Sequence, residues 1–378
     1  GSGEEPVTGS SSSTTQQTPS TPPPTAAPDN FQNTAPVLPA PGESLEAMRP
    51  LQVNVNFVLV PVTVKDPKGK EVPGLTWRDF KVFENGQREQ IRLFTADAAA
   101  LSMAFVIDQS VTSDVMARVN NSLGAIQGAL TPYDEIAVFS YSNGSQERTA
   151  FTGAQSARVP AVLALTRETG TEEMTPVNSG PLAGCNVREN GACVDPNLQP
   201  GRSAGSAAFI TIPKEIHTLN DAILAAAKEL STRPKERRRI IYVVSDGKEA
   251  NSKATYKDVL HYLEQNNITV YGTLVGDSAR WGEGYLSKFH LPFTMYDNRL
   301  TAYVLATGGT LDSERSVNGI ENSYKKLAEE ARTQYELGYY SHEPFIDGKF
   351  RKIEVRVERP GLEIYTKDGY YPSARDSR

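Results

Sequence analysis

The sequence predicts an α/β protein in which a doubly wound, mostly parallel sheet is inserted into a small β-sandwich formed by the N- and C-terminal flanking strands. Three observations predict it. From Leu101 to about Tyr340 apolar strands alternate with helical patterns, the rhythm of a sheet covered by helices on both faces. On either side lie short β-branched stretches punctuated by turn residues, each too short to close a core alone. Ahead of them runs a tail too polar to fold. The 378 residues leave room for roughly two domains of about 150 residues plus that tail. The boundaries fall at 1–45 for the tail, 46–98 and 341–378 for the two parts of the sandwich, and 99–340 for the middle domain.

The tail, from residue 4 to about 45, is dominated by Ser, Thr, Pro, Gln and Ala and is expected to be a disordered tether. Gly1-Ser2-Gly3 reads as a cloning remnant, so the lack of a signal peptide carries no information about location. Next, Val53 to Val64 is rich in β-branched residues and ends in the turn signal Lys65-Asp66-Pro67-Lys68-Gly69. Strands are expected around Val72, from Phe80 to Phe83 before Glu84-Asn85-Gly86, and from Gln90 to Phe94. At the far end, Phe350 to Val357 alternates, and Leu362 to Tyr365 leads into Gly369-Tyr370-Tyr371. These flanks are expected to pack on one another.

In the middle, Ser102-Met103-Ala104-Phe105-Val106-Ile107 is a continuous apolar run, as a central parallel strand requires. Further strands are expected at Glu135 to Tyr141, Arg239 to Val244 and Ile268 to Val275. Leu219, Ile223, Ala226 and Leu230 fall on one helical stripe, and Val259, Leu260 and Leu263 mark another helix before Asn266-Asn267. Helices are also expected near Val115 to Leu130 and Ile320 to Arg332. The Gly-, Ser- and Pro-dense stretch from about 166 to 213 is too long for a connection and reads as an insertion, either a specificity loop or a variable surface loop.

With 38% hydrophobic residues and a formal charge of -6, the chain gives no electrostatic reason to seek nucleic acid. No apolar run reaches the roughly 20 residues that span a bilayer. Cys185 and Cys193, the only two cysteines, bracket an Asn-Gly turn and are expected to form a local disulfide, since the CxxC spacing of a zinc site is missing. Disulfide and tether together favour a location outside the cytoplasm: periplasmic, secreted or attached to the envelope. Nothing in the sequence sets the oligomeric state.

Functional chemistry concentrates at strand ends. Asp108-Gln109-Ser110-Val111-Thr112 follows the first apolar strand and presents a carboxylate and two hydroxyls at alternate positions. Asp246, before Gly247, ends another apolar strand, and Thr218 opens a helix between them. Open α/β sheets bind ligands at such carboxyl ends, and oxygen donors suit a hard cation. Taken singly, Asp108, Ser110, Thr112 and Thr218 could equally be helix caps; together with Asp246 they point to a metal site.

The pattern resembles the metal-ion-dependent adhesion site of von Willebrand factor type A domains: DxSxS, then a threonine, then an aspartate. The resemblance implies a Rossmann-like fold for the middle domain. It also implies a metal held by hydroxyls of Ser110, Thr112 and Thr218, with Asp108 and Asp246 acting directly or through water. Thr112 stands where the family has a second serine, and His217 where it often has glycine. The flanks resemble the bacterial VWFA-related family, through Gly74-Leu75-Thr76, Asp79-Phe80, Phe83-Glu84-Asn85-Gly86, Thr307-Gly308-Gly309, Tyr335-Glu336-Leu337-Gly338-Tyr339-Tyr340 and Gly348-Lys349-Phe350-Arg351-Lys352-Ile353. The function this resemblance implies is that of a non-enzymatic adhesion or protein-binding module. Its ion, magnesium with manganese or calcium as alternatives, would engage an Asp or Glu of a partner protein.

Other motifs are weaker. Gly201-Arg202-Ser203-Ala204-Gly205 matches the GxSxG of hydrolases but lacks the strand and helix that such a nucleophile needs, so a serine hydrolase using Ser203 is a distant rival. A haloacid-dehalogenase phosphatase is ruled out by Ser110, which stands where its second aspartate belongs. His217, His261, His290 and His342 show no metal spacing and are expected to pack or face solvent. Lys235, Arg237, Arg238 and Arg239 read as solvating a turn. The remaining rival is a structural envelope protein whose site stays empty.

Overall fold

The apolar run at 101–108 is buried along its whole length, and its alternate side chains enter two different cores. Met103, Phe105 and Ile107 join one; Ala104 and Val106 join the other. A strand covered on both faces has no solvent side, which is why its sequence runs apolar without alternating. The computed structural model describes residues 57–171, 188–189, 192–193, 216–276, 298–343 and 348–372.

The N-terminal flank supplies β1 (Phe57–Lys65), β2 (Phe80–Glu84), β3 (Gln87–Glu89) and β4 (Ile91–Thr95). The middle domain begins with β5 (Leu101–Asp108), α1 (Ser113–Ser122), α2 (Ala125–Ala129), β6 (Glu135–Ser142), β7 (Gly144–Gly153) and α3 (Arg158–Leu165). Beyond the insertion it continues with α4 (Leu219–Leu230), β8 (Arg238–Ser245), α5 (Tyr256–Gln265), β9 (Ile268–Leu274), α6 (Arg299–Thr307), β10 (Leu311–Ser313) and α7 (Val317–Thr333). Last come β11 (Tyr335–Tyr340), β12 (Arg351–Val357), β13 (Glu363–Thr366) and β14 (Gly369–Tyr370).

Six strands form the central sheet in the order β10-β9-β8-β5-β6-β7. All neighbours are parallel except the β6–β7 edge pair. The chain runs outward from β5 to β6, then returns to lay β8 on the other side of β5. The strand order therefore reverses between β5 and β8, and ligand centres of open α/β sheets sit at that reversal. Helices α1, α2, α3 and α7 cover one face, and α4, α5 and α6 the other. On the first face Phe105, Tyr242 and Tyr324 pack with ring centroids 5.6 to 5.9 Å apart. Their buried hydroxyls are satisfied: Tyr242 meets Thr273 and Ser323, and Tyr324 meets Ser122.

The flanks make two four-stranded sheets, β13-β1-β11-β4 and β14-β12-β2-β3, each mixing strands from both ends of the chain. They share one core in which Val60, Val62 and Leu337 of the first sheet meet Phe80, Val82 and Ile353 of the second. Tyr335–Tyr340, assigned from sequence to the middle domain, lies between β1 and β4 in the flanking sheet.

Several expectations need correction. The strand expected around Val72 is a single bridge from Lys65 to Glu71. The helix expected from Val115 to Leu130 breaks in two, with the poor helix former Gly124 at the break. Strand β7 and helices α3 and α6 have no counterpart in the sequence reading. The basic run does more than solvate a turn: Arg237 donates to Leu101 O and Tyr133 O, Arg238 to Ala331 O and Gln334 O, and Arg239 to Asn266 O. These guanidinium groups donate to carbonyls at the amino edge of the sheet and at the end of α7, where the last carbonyls of a helix lack intrahelical donors. Among the described residues, no helix is long and apolar enough to cross a membrane.

Candidate metal centre

Asp108 ends β5, and Gln109 N donates to Tyr141 O at 2.8 Å, so pairing with β6 continues to the lip of the sheet. Asp246 leaves β8 one residue after its end. Gly247 then turns the chain at φ +79°, and a Cβ there would lie 2.1 Å from Asn298 Oδ1. Only glycine meets both demands. Asn298 in turn donates to Asp246 O at 3.1 Å and caps α6 by accepting from Thr301 N.

His217 precedes α4 and is clamped by paired backbone bonds to Ala250, of 2.9 and 2.8 Å. The same loop caps the helix: Glu249 Oε2 accepts from Asn220 N at 2.7 Å, and Ser252 Oγ from Asp221 N. The segment after β8 and the start of α4 are thereby tied together, and each carries a residue of the centre.

Asp108, 1% exposed, accepts four hydrogen bonds. Ser110 N and Ser110 Oγ donate to Oδ1; Tyr141 Oη, at 2.8 Å, and Ser245 Oγ, at 2.7 Å, donate to Oδ2. Even so, burial holds the Asp108 carboxyl above its ordinary range, and the like charge of Asp246 adds to the rise. The Tyr141 hydroxyl is pushed far up by burial and by Asp108, so it remains a donor. Two carboxylates this close are held together at a cost unless a cation lies between them.

Ligand atoms of Asp108, His217 and Asp246 all lie within 4.8 Å of one another, an arrangement that could hold a metal ion. Ser110 Oγ lies inside the same cluster, 2.7 Å from His217 Nδ1. Of the five residues expected from sequence, Asp108, Ser110 and Asp246 converge. The hydroxyls of Thr112 and Thr218 make hydrogen bonds to other groups. Thr112 Oγ1 donates to Asp114 Oδ1 at 2.6 Å at the start of α1. Thr218 Oγ1 accepts from Gly144 N at 3.0 Å and donates to Ser142 O, bracing the β6–β7 turn. Thr218 occupies the N-cap position of α4 without a side-chain cap bond, because Glu249 has taken that role.

His217 is the residue sequence reasoning missed. Read there as a packing or surface histidine, it is 7% exposed and faces the carboxylates. No spacing rule finds a candidate ligand 107 residues beyond Ser110; its place beside Thr218 was the available signal. Two carboxylates, one hydroxyl and one imidazole are thus gathered at one point.

Asp108, Ser110 and His217 are not a hydrolase triad. There the carboxylate orients the imidazole, whereas here Asp108 accepts from the serine itself. The rival nucleophile Ser203 lies outside the described residues, as does Cys185, and with it the expected pairing to Cys193.

Fold and centre together define an α/β domain carrying an oxygen- and nitrogen-lined cluster at the switch point of its sheet. No protein-family model matches the chain, and no curated protein does. Solved structures do match, and they include von Willebrand factor type A domains. One such protein from Catenulispora acidiphila is 9% identical over 85% of this chain and 75% of its own, with a TM-score of 0.40. An aerotolerance-related membrane protein from Bacteroides fragilis NCTC 9343 is 11% identical over 61% of this chain and 99% of its own, with a TM-score of 0.36. Proximal thread matrix protein 1 from the mussel byssus, with a zinc-occupied MIDAS motif, is 13% identical over 67% of this chain and 50% of its own, at a TM-score of 0.38. Each is a distant likeness, and the chemistry of the centre rests on this chain's own residues.

Proposed function

We propose that this chain is a non-enzymatic, metal-dependent protein-binding module that works outside the cytoplasm. A divalent cation held by Asp108, Ser110 and Asp246 keeps a coordination position for an Asp or Glu carboxylate of a partner protein. The convergence of Asp108, Asp246 and His217 from three separate segments carries this reading. Two features support it. The centre lies at the reversal of strand order, where a ligand can approach, and buried Asp108 faces the like charge of Asp246, whose ion-pair partner Lys248, 3.6 Å away, is mostly exposed. The extracytoplasmic location rests on the polar tail and the cysteine pair.

Metal titration calorimetry on the full chain tests the first half: one ion is expected per chain, with binding lost in Asp108→Ala. Addition of N-acetylglutamate amide to the metal-loaded chain tests the second half, with saturable binding expected only in the presence of metal. Binding of that carboxylate to the chelator-treated chain, or metal binding unchanged in Asp108→Ala, would contradict the proposal. Because a ligand of the folded state stabilises it by mass action, chelator should also lower the melting temperature of the metal-loaded chain.

A further inference from the structure

We infer that His217 makes this a centre for a borderline transition-metal dication of the zinc class, and that magnesium and calcium bind there weakly. This deepens the metal-binding reading above and rests on it.

The first ground is the donor inventory. Thr112 Oγ1 donates to Asp114, and Thr218 Oγ1 is bonded within the β6–β7 turn, whereas an imidazole stands among the carboxylates. The metal-ligating groups gathered at one point are Asp108, Asp246 and the His217 imidazole, with Ser110 Oγ bonded to Asp108 and His217; three such ligands leave the fourth position of a tetrahedral shell open. Magnesium demands near-octahedral oxygen at about 2.0–2.1 Å, and calcium takes about six to eight oxygens. Imidazole nitrogen with carboxylate oxygen suits zinc and its transition-metal neighbours.

The second ground is that the imidazole is placed, not incidental. Its backbone is bridged to Ala250 through both its N–H and its carbonyl, its side chain is buried within reach of both carboxylates, and Nδ1 lies 2.7 Å from Ser110 Oγ. In a tetrahedral zinc shell with bonds of about 2.0–2.2 Å, neighbouring ligand atoms lie roughly 3.3–3.6 Å apart. Atoms already within 4.8 Å reach that shell by small rotations of side chains.

The third ground is the outer support. Asp108 Oδ2 is fixed by Tyr141 and Ser245, and Gly247 N donates to Ser245 Oγ at 2.8 Å. The carboxylate of one ligand is thus keyed to the backbone beside another, Asp246. Such bonds orient the ligands of transition-metal sites.

The test is competition calorimetry on the untagged full chain with zinc, magnesium and calcium chlorides, repeated on His217→Ala, His217→Gln and Thr112→Val. Zinc is expected to bind at one site at least about 100-fold more tightly than magnesium. Both His217 variants should lose about 10- to 100-fold in zinc affinity, while their magnesium affinity changes by less than about threefold. Thr112→Val should leave zinc binding unchanged. Cobalt(II) absorption on the unmodified chain gives a readout independent of variant folding: intense visible bands of a four-coordinate N/O site are expected. Equal zinc and magnesium affinities, zinc binding indifferent to His217, or an octahedral cobalt spectrum would overturn the inference and leave the metal-binding reading standing. Absence of any metal binding at Asp108 would overturn both.

Discussion

Tyr141→Phe is the substitution that most directly separates the support of the centre from the centre itself. The β5–β6 register sets Tyr141 opposite Asp108, and its hydroxyl donates to Asp108 Oδ2 at 2.8 Å while lying 2.8 Å from Ser245 Oγ. The ring is 1% exposed and stays in place as phenylalanine, so the change removes one oxygen and leaves packing intact. A hydrogen bond to a charged group contributes about 1.5–3 kcal/mol. Asp108 keeps the bonds from Ser110 N, Ser110 Oγ and Ser245 Oγ, which places the loss in the lower half of that range, about 1.5–2 kcal/mol. For a domain of this size that corresponds to roughly 3–8 °C in melting temperature. Loss of an outer-shell partner should also weaken metal binding about 10- to 100-fold. Calorimetric melting of the metal-free chain reads the first effect, and zinc titration the second. A melting temperature that falls while zinc affinity stays at the unmodified value would refute the role of Asp108 as a ligand. No change in either would refute the hydrogen-bond assignment.

Three further outcomes are expected. Gly247→Ala forces a Cβ onto Asn298 Oδ1 at a residue with φ +79° and displaces the α6 cap, so urea denaturation should show a loss of about 2 kcal/mol or more. Glu84→Ala strips the buried carboxylate that Tyr370 and Arg351 face in the sandwich, and the loss of this counter-charge beside a buried guanidinium should cost about 3–5 kcal/mol in the same assay. Glu264, at the foot of α5, has its carboxyl pushed up from 4.5 to about 7, first by burial, then by Asp368, with Lys367 opposing. Because its folded value is the higher one, this group destabilises the fold progressively as pH rises from about 4.5 to 7 and has no effect below that window. The interval alone corresponds to about 3 kcal/mol, and solvent screening reduces it to roughly 1–2 kcal/mol. Glu264→Gln should therefore raise the melting temperature at pH 8 and leave it unchanged at pH 4; a gain of equal size at both would contradict the titration.

The features legible in the sequence are those set by local contacts. The run at 101–108 carries its two-sided burial in its composition, and the stripe Leu219, Ile223, Ala226, Leu230 carries its helix in its spacing. Strand β7 was hidden because it is an edge strand with little buried surface and so no apolar pattern. Tyr335–Tyr340 was assigned to the wrong side of the domain boundary because nothing in six residues says which sheet they will join. In the centre, Asp108, Ser110 and Asp246 were legible because strand ends and the switch point are topological facts that a β-α rhythm implies. The hydrogen bonds of Thr112 to Asp114 and of Thr218 to the Gly144 amide are not legible in the sequence, because they depend on the course of the loops. His217 was missed for the converse reason: its bridge to Ala250 forms only once the segment after β8 folds against the start of α4.

The measurement that tests the central claim most directly is anomalous X-ray scattering at the zinc edge from crystals grown with one equivalent of zinc. A single peak is expected within about 2.2 Å of an Asp108 oxygen, a ring nitrogen of His217 and an Asp246 oxygen. A peak elsewhere with this cluster bare, or none at all, would contradict the proposed centre.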